Sequence, residues 1–344
     1  LTNKKNIVVV GASAGGLPAL QRLVASLPPK LDAAVFIVLH SSPSAPSHLA
    51  AILQRFTDLP VSQPNDGDSI HIGRICVARP DYHLVLDGDT VRLTRGPREN
   101  RNRPAIDALF RSAAFSHASR VVAVVLTGAL DDGTAGLWSI RDRGGTAIVQ
   151  DPAEADFPSM PQSAIDNAGA DYVAGLDDMG ALITNLTGQI ASGDGKPVSH
   201  EMEVEMQIAK EGRALQAGVM KLGPITPYTC PECHGVLVQL KEGGVPRFRC
   251  HTGHAYSIDN LLAEVTEYVE DTLWSAIRTI EESALLLDHI ASHIGASGKQ
   301  SSYAGIFHQK AIDTQNRADL IRAATMAHQT LSIDNITDVK TDSR

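Results

Sequence analysis

The chain opens as alternating blocks of two periodicities. Runs apolar at nearly every position, NIVVV (6–10), AVFIVLH (34–40), RICVA (74–78), VVAVVLTG (121–128) and TAIVQ (146–150), read as buried strands. Between them lie LPALQRLVASL (17–27), SHLAAILQRF (47–56), AIDALFRSAAFSHA (105–118) and TAGLWSIRDRGG (134–145), whose apolar residues recur every three or four positions. That is the spacing of one buried helix face. HLVLDGDTVRLT (83–94) alternates and predicts a hairpin turning at Asp87-Gly88. Apolar strands alternating with helices predict an α/β domain over residues 1–192, a doubly wound, mostly parallel sheet covered on both faces.

The pattern changes at SGDGKPVSH (192–200), which reads as a linker, and a charged helical stretch follows to about Leu222, so that 193–224 forms linker and helix. Residues 225–257 are rich in cysteine and histidine. From Ile258 to Ile294 a single apolar seam (Leu262, Val265, Val269, Leu273, Ile277, Ile280, Ala284, Leu287, Ala291, Ile294) steps by threes and fours along one long helix. A second helical stretch, roughly 304–328, is placed to fold back on it. The segment 258–330 is thus a long helix or helical hairpin, serving as a coiled-coil contact, an internal hairpin or a docking face. Residues 331–344 are polar and read as a frayed tail.

Composition narrows the class. Hydrophobic content of 43% and charged content of 20% describe an ordinary globular chain. A net charge of −9 argues against nucleic acid as a partner. No apolar run approaches the ~20 residues of a membrane span, so no membrane insertion is expected. The chain enters a strand at once and predicts no secretory signal, although its first residue is Leu rather than Met and leaves room for an upstream segment. Three of the four cysteines fall between 230 and 250, which favours metal binding in a reducing compartment over a disulfide framework. A cytoplasmic location follows.

Three strand ends carry candidate chemistry. The first strand runs into Gly11-Ala12-Ser13-Ala14-Gly15-Gly16, which lacks the glycine pattern of a dinucleotide turn and the Lys-Ser/Thr of a P-loop. It does match G-x-S-x-G, a tight strand-to-helix turn that presents a serine hydroxyl, though a structural turn or an anion cradle would look similar. The second strand ends in His40, a base for that serine or a plain turn residue. A later strand runs into Ala129-Leu130-Asp131-Asp132-Gly133, a cap or the source of an orienting carboxylate, with Asp131 and Asp132 both eligible. In an open α/β sheet functional groups gather beyond the carboxyl ends of the strands. Their joint occurrence there points to a Ser-His-Asp hydrolase.

VVVGASAGG, VLHSSPS, RPAIDALFRSAA, VVLTGALDDGTAG and IVQDPAEADFPSMPQSAI, in that order and spacing, resemble the catalytic domain of the CheB-type chemotaxis receptor methylesterases over about Asn6 to Leu186. The resemblance implies a Rossmann-like doubly wound fold and hydrolysis of glutamate γ-methyl esters on receptor helices, with glutamine deamidation in many members. It assigns nucleophile, base and orienter to Ser13, His40 and Asp132, with no cofactor for catalysis. It also implies as partners a methyl-accepting, chemoreceptor-like helical bundle and the kinase or methyltransferase of the same pathway. Three departures stand out: Ala14 where the family usually has Thr, Ala129-Leu130 in place of its glycine-flanked methionine, and no receiver domain ahead of the first strand. A weak signalling adaptor and a small-molecule serine esterase are the competing readings. Arg92, Arg95, Arg98, Arg101 and Arg103 would grip an acidic receptor helix or form a solvated loop face.

Cys230-x-x-Cys233, sixteen intervening residues and Cys250-x-x-x-His254 fit a zinc ribbon: two ligand pairs on turns joined by a hairpin containing Gly-Gly. Four protein ligands would make the Zn²⁺ structural. His251 competes for the fourth place but adjoins Cys250.

Overall fold

The computed structural model describes residues 4–44, 46–191, 195–240, 245–296, 301–329, 331 and 336. They form two compact units, Leu1–Leu261 and Leu262–Arg344. The expected linker lies partly, the expected frayed tail almost wholly and the Gly-Gly of the ribbon hairpin wholly outside the described residues.

The first unit is built on strands β1 (Ile7–Ala12), β2 (Ala34–Leu39), β3 (Val61–Ser62), β4 (Ile75–Val77), β7 (Val121–Val125), β8 (Thr146–Gln150) and β9 (Tyr172–Ala174). They pair in parallel in the order β3-β4-β2-β1-β7-β8-β9. Strands β5 (His83–Asp87) and β6 (Thr90–Thr94) make the predicted antiparallel hairpin.

Helices cover both faces, as the unbroken apolar strands require. In β2, Phe36 and Val38 face a core with Leu109, Phe110 and Leu137 from α3 (Ile106–His117) and α4 (Thr134–Asp142). Val35 and Ile37 face the other core, with Leu20 and Leu23 of α1 (Gly16–Ser26) and Ile183 of α6 (Leu176–Thr187). Short helices α2 (Leu49–Leu53) and α5 (Ser159–Ser163) complete the layers. Because β1 lies between β2 and β7, the winding reverses there and opens a crevice at the carboxyl ends of these three strands.

The expected charged helix is broken in two. Helix α7 (His200–Glu211) ends at Gly212, which takes a left-handed φ of 67°, and α8 (Ala214–Ala217) follows. Its Val204 and Ile208 are buried with Val219, Leu222 and Val238, while Met206 and Ala209 pack on Val85 of the hairpin. Strands β10 (Ile225–Thr229), β11 (Val236–Gln239), β12 (Arg247–Cys250) and β13 (Ala255–Ser257) form an antiparallel sheet within the same unit.

Helix α9 spans Ile258–Ala296 and α10 spans Ser301–Met326. Within the second unit α10 runs antiparallel to α9: His308 bonds Asp288, Arg322 bonds Glu281 and His328 bonds the Thr266 carbonyl. The buried positions Ile277, Ala284 and Ala291 face Ala311, Ala318 and Thr325, each series stepping by seven. Of the expected seam, Val265 and Val269 are exposed instead.

Candidate active site

Ser13 follows β1 directly. Its N–H donates to the Thr127 carbonyl at 3.0 Å, and Thr127 Oγ1 donates to the Ala14 carbonyl at 3.1 Å, so the turn is tied to the end of β7. Gly15, with φ of 68°, caps α1, and a Cβ there would fall 2.9 Å from Asp156. A Cβ on Gly128 would meet that of Ser13 at 2.9 Å. The glycines therefore let three loops close around one hydroxyl.

His40 follows β2, its N–H bonded to the Ala12 carbonyl at 3.2 Å. Its Nδ1 lies 3.0 Å from Ser13 Oγ and its Nε2 lies 2.7 Å from Asp132 Oδ2. An ionised carboxylate can only accept, so Nε2 carries the proton and Nδ1 is left to accept from the serine hydroxyl. Asp132 is nearly fully buried and His40 largely so.

Asp132 also accepts the N–H of Ile106 at 2.7 Å, the N–H of Asp107 at 3.2 Å and Asn100 Nδ2 at 2.9 Å. Burial alone would push its carboxyl up. The hydrogen bond and charge of His40, with the Asn100 and Ile106 bonds, outweigh burial and hold it below the ordinary range. Burial and the neighbouring Asp132 charge push Asp107 up to about 7, which separates the two carboxyl groups in protonation. Asp131 faces elsewhere: Ser257 Oγ donates to it at 2.6 Å, and Asn260 Nδ2 also donates. Burial raises its pKa to about 7.

On the four-stranded sheet, one donor atom each from Cys230, Cys233, Cys250 and His254 lies within 4.8 Å of the others. His254 Nδ1 is 3.6 Å from both the Cys230 and Cys250 sulfurs, and the Cys233 and Cys250 sulfurs are 3.6 Å apart. His254 Nε2 faces Glu232 at 3.3 Å, the outer-shell carboxylate that commonly orients a metal-binding imidazole. Such a group can bind a metal ion.

Residues 8–183 match the family model described as CheB methylesterase. A Leptospira interrogans protein named "Putative protein-glutamate methylesterase/protein-glutamine glutaminase" is 35% identical over 180 residues, covering 52% of this chain and 93% of that one. This chain belongs to the CheB methylesterase family. A protein-glutamate methylesterase/protein-glutamine glutaminase of Trichodesmium erythraeum is 38% identical over 193 residues, 55% of this chain and 54% of its own length. The crystal structure of the Thermotoga maritima CheB methylesterase catalytic domain is 32% identical with a TM-score of 0.51, covering 53% of this chain and 98% of that one.

Ser13, His40 and Asp132 lie inside the CheB methylesterase match, and the Cys/His group lies outside it. At the departures from the family pattern, Leu130 adopts a left-handed φ of 61° and its N–H donates to Ser159 Oγ at 3.1 Å. The arginine loop divides. Arg92 pairs with Asp66, and Arg95 and Arg103 pair with Asp81. Arg98, Arg101 and Arg103 line, with His40 and Ser42, a cleft of about 360 Å³ at the mouth of the site, so that Arg103 both pairs with Asp81 and borders the cleft.

Sequence reasoning missed Asn100 and a buried ionic cluster. Arg111 donates to both oxygens of Glu99 at 2.7 and 2.6 Å, Arg249 reaches Glu99 and Glu205 at 2.9 Å each, and Arg247 reaches Glu205 at 2.6 Å. The available signal was charge inside apolar pattern, in FRSAA (110–114) and RFRC (247–250).

Proposed function

We propose that this chain is a protein-glutamate methylesterase that hydrolyses glutamate γ-methyl esters on chemoreceptor-like helices. The observation carrying this reading is the imidazole of His40 held between Ser13 and Asp132. Ser13 Oγ attacks the ester carbonyl while His40 Nδ1 takes its proton, and Asp132 stabilises the imidazolium at Nε2. The same proton passes to the departing methoxide, releasing methanol and leaving a glutamyl ester on Ser13. Water, deprotonated by His40, then hydrolyses that ester to free the glutamate carboxylate and restore the serine.

The N–H groups of Ala14 and Gly15, at the start of α1, donate to no acceptor among the described residues and are available to the oxyanion. A glutamine amide meets the same nucleophile, with ammonia leaving in place of methanol. Protein-glutamine glutaminase activity is therefore part of the reading.

Arg98 and Arg101 at the cleft suit a helix rich in glutamate, and they support a chemoreceptor-like bundle as the partner. Among the described residues no helix is long and apolar enough to cross a membrane. The thiol-rich group favours a reducing compartment, and we place the protein in the cytoplasm. Three thiolates and one imidazole suit Zn²⁺ held by Cys230, Cys233, Cys250 and His254, a closed set with a structural role. Elemental analysis should find one zinc per chain, lost in Cys230→Ser.

The function is tested by incubating the full chain with methyl-labelled receptor membranes and measuring released methanol. Release by the parent but not by Ser13→Ala supports the reading. Equal release by both, or none by the parent, overturns it.

A further inference from the structure

We propose that the Cys/His module positions the catalytic aspartate, so that its metal state sets the rate of ester hydrolysis. The inference rests on the Ser13-His40-Asp132 reading above. Its physical basis is a two-residue stretch, Glu99-Asn100, gripped twice by residues that adjoin the candidate metal ligands.

The first grip is Arg249, next in the chain to Cys250. Its fully buried guanidinium donates to Glu99 at 2.9 Å. The second is the strand that begins immediately after His254. The Asn100 N–H donates to the Ala255 carbonyl at 2.8 Å, and the Ser257 N–H donates to Asn100 Oδ1 at 2.9 Å. The Ala255 N–H returns a bond to the Arg98 carbonyl at 3.2 Å. Two ligands thus bracket the turn 250–254, itself closed by the Cys250 N–H on the His254 carbonyl at 3.0 Å.

Held in this way, Asn100 aims its amide at the site. Nδ2 lies 2.9 Å from Asp132 Oδ1 and 2.9 Å from Asp107 Oδ2, bridging two buried carboxyl groups that would otherwise crowd. Asn100 and Arg101 both sit at positive φ, 47° and 70°. Successive non-glycine residues in that region are strained and persist only where surroundings over-determine them. Here the surroundings are β13 and Arg249, with Arg111 of α3 also holding Glu99. Loosening the turn at 250–254 would let 99–101 relax and withdraw the amide from Oδ1, leaving Asp132 held only by the Ile106 and Asp107 N–H groups and less firmly set against His40. Asn100 is a positioning residue and touches no substrate.

The test uses the full chain loaded with zinc, and two readouts. One is the low-field proton resonance of the His40 Nε2–H···Asp132 bond, identified by its loss in Asp132→Ala. The other is kcat and KM on a glutamyl methyl ester peptide. Zinc removal by a chelator should abolish the resonance and lower kcat about tenfold to a hundredfold with KM unchanged, the range seen for lost outer-shell partners. Zinc added back should restore both. Asn100→Gly, which suits the positive φ, should reproduce the losses, and zinc removal from that variant should lower kcat no further. Asn100→Asp keeps the acceptor for Ser257 and removes the donor, and it should match Asn100→Gly while circular dichroism stays that of the parent.

A resonance and kcat that survive zinc removal overturn the proposal, as do losses from Asn100→Gly and zinc removal that multiply. Should the parent hydrolyse no ester, the functional reading falls, while the resonance still decides whether the module holds Asp132.

Discussion

Arg249 donates to Glu99 at 2.9 Å across 150 positions of sequence, with both side chains buried. This pair, with Arg111, Glu205 and Arg247, joins the Cys/His sheet to the α/β sheet inside one compact unit. A buried ionic cluster gains little over a hydrophobic equivalent, yet removing one member strands the rest. Arg249→Met should therefore destabilise the first unit by about 3–5 kcal/mol. Urea unfolding followed by tryptophan fluorescence checks this, and a loss under ~1 kcal/mol, the worth of a surface pair, would contradict it.

The same cluster fixes an acid limit. Burial would raise the Glu205 carboxyl, but the Arg111, Arg247 and Arg249 charges hold it at about 2. Its stabilisation is complete above its unfolded value near ~4.3 and is lost as pH falls toward 2, because the unfolded state binds the proton first. Between those limits stability should rise with pH. Glu205→Gln should flatten that slope by about 1.4 kcal/mol per pH unit, one proton's worth. An unchanged slope would show that Glu205 is not held in its charged form.

Adjacent aspartates should behave oppositely. Asp131 has its pKa raised to about 7 by burial, so its contribution to stability is complete below its unfolded value near ~3.9, declines as pH rises from there to about 7, and changes little above. Asp131→Asn can still accept from Ser257 and Asn260. It should retain kcat and gain stability relative to the parent as pH is raised from about 4 to about 7, with the difference constant above that. Asp132→Asn would present an amide to His40 Nε2, disfavour the working tautomer and lower kcat by ~10⁴-fold. Matching kcat values for the two variants would remove the distinction.

Much of this was legible in the sequence because periodicity reports burial. The apolar strands, the Asp87-Gly88 hairpin and the two long helices follow from spacing alone. Strand ends at the winding reversal drew attention to Ser13, to His40 and to the Asp131-Asp132 pair beyond β7, but the choice of Asp132 over Asp131 came from the family resemblance, and the structure sets Asp132 against His40. Asn100 and Glu99 were not legible. They sit in a loop of arginines and asparagines whose surface-like composition hides a buried core, and the partners that tie them to the Cys/His sheet lie 150 or more positions away. Nor does composition separate Arg95, held by Asp81 and not lining the cleft, from Arg98, Arg101 and Arg103, which line it.

That division predicts a split in substrate dependence. Arg98→Ala combined with Arg101→Ala should raise KM for methylated receptor severalfold, and the rise should shrink as salt screens the parent's attraction. Hydrolysis of a small uncharged ester should be unaffected. Equal losses on both substrates would mean that the arginines shape the site rather than bind the partner.

The central claim is that Ser13 and His40 act as one unit, and a double-mutant cycle on kcat/KM for a glutamyl methyl ester peptide tests it most directly. Ser13→Ala and His40→Ala should each lose ~10⁴-fold or more, and the double variant should be no slower than either, because residues acting as a unit are non-additive. Losses that multiply, or a Ser13→Ala variant that keeps most of the activity, would contradict the account.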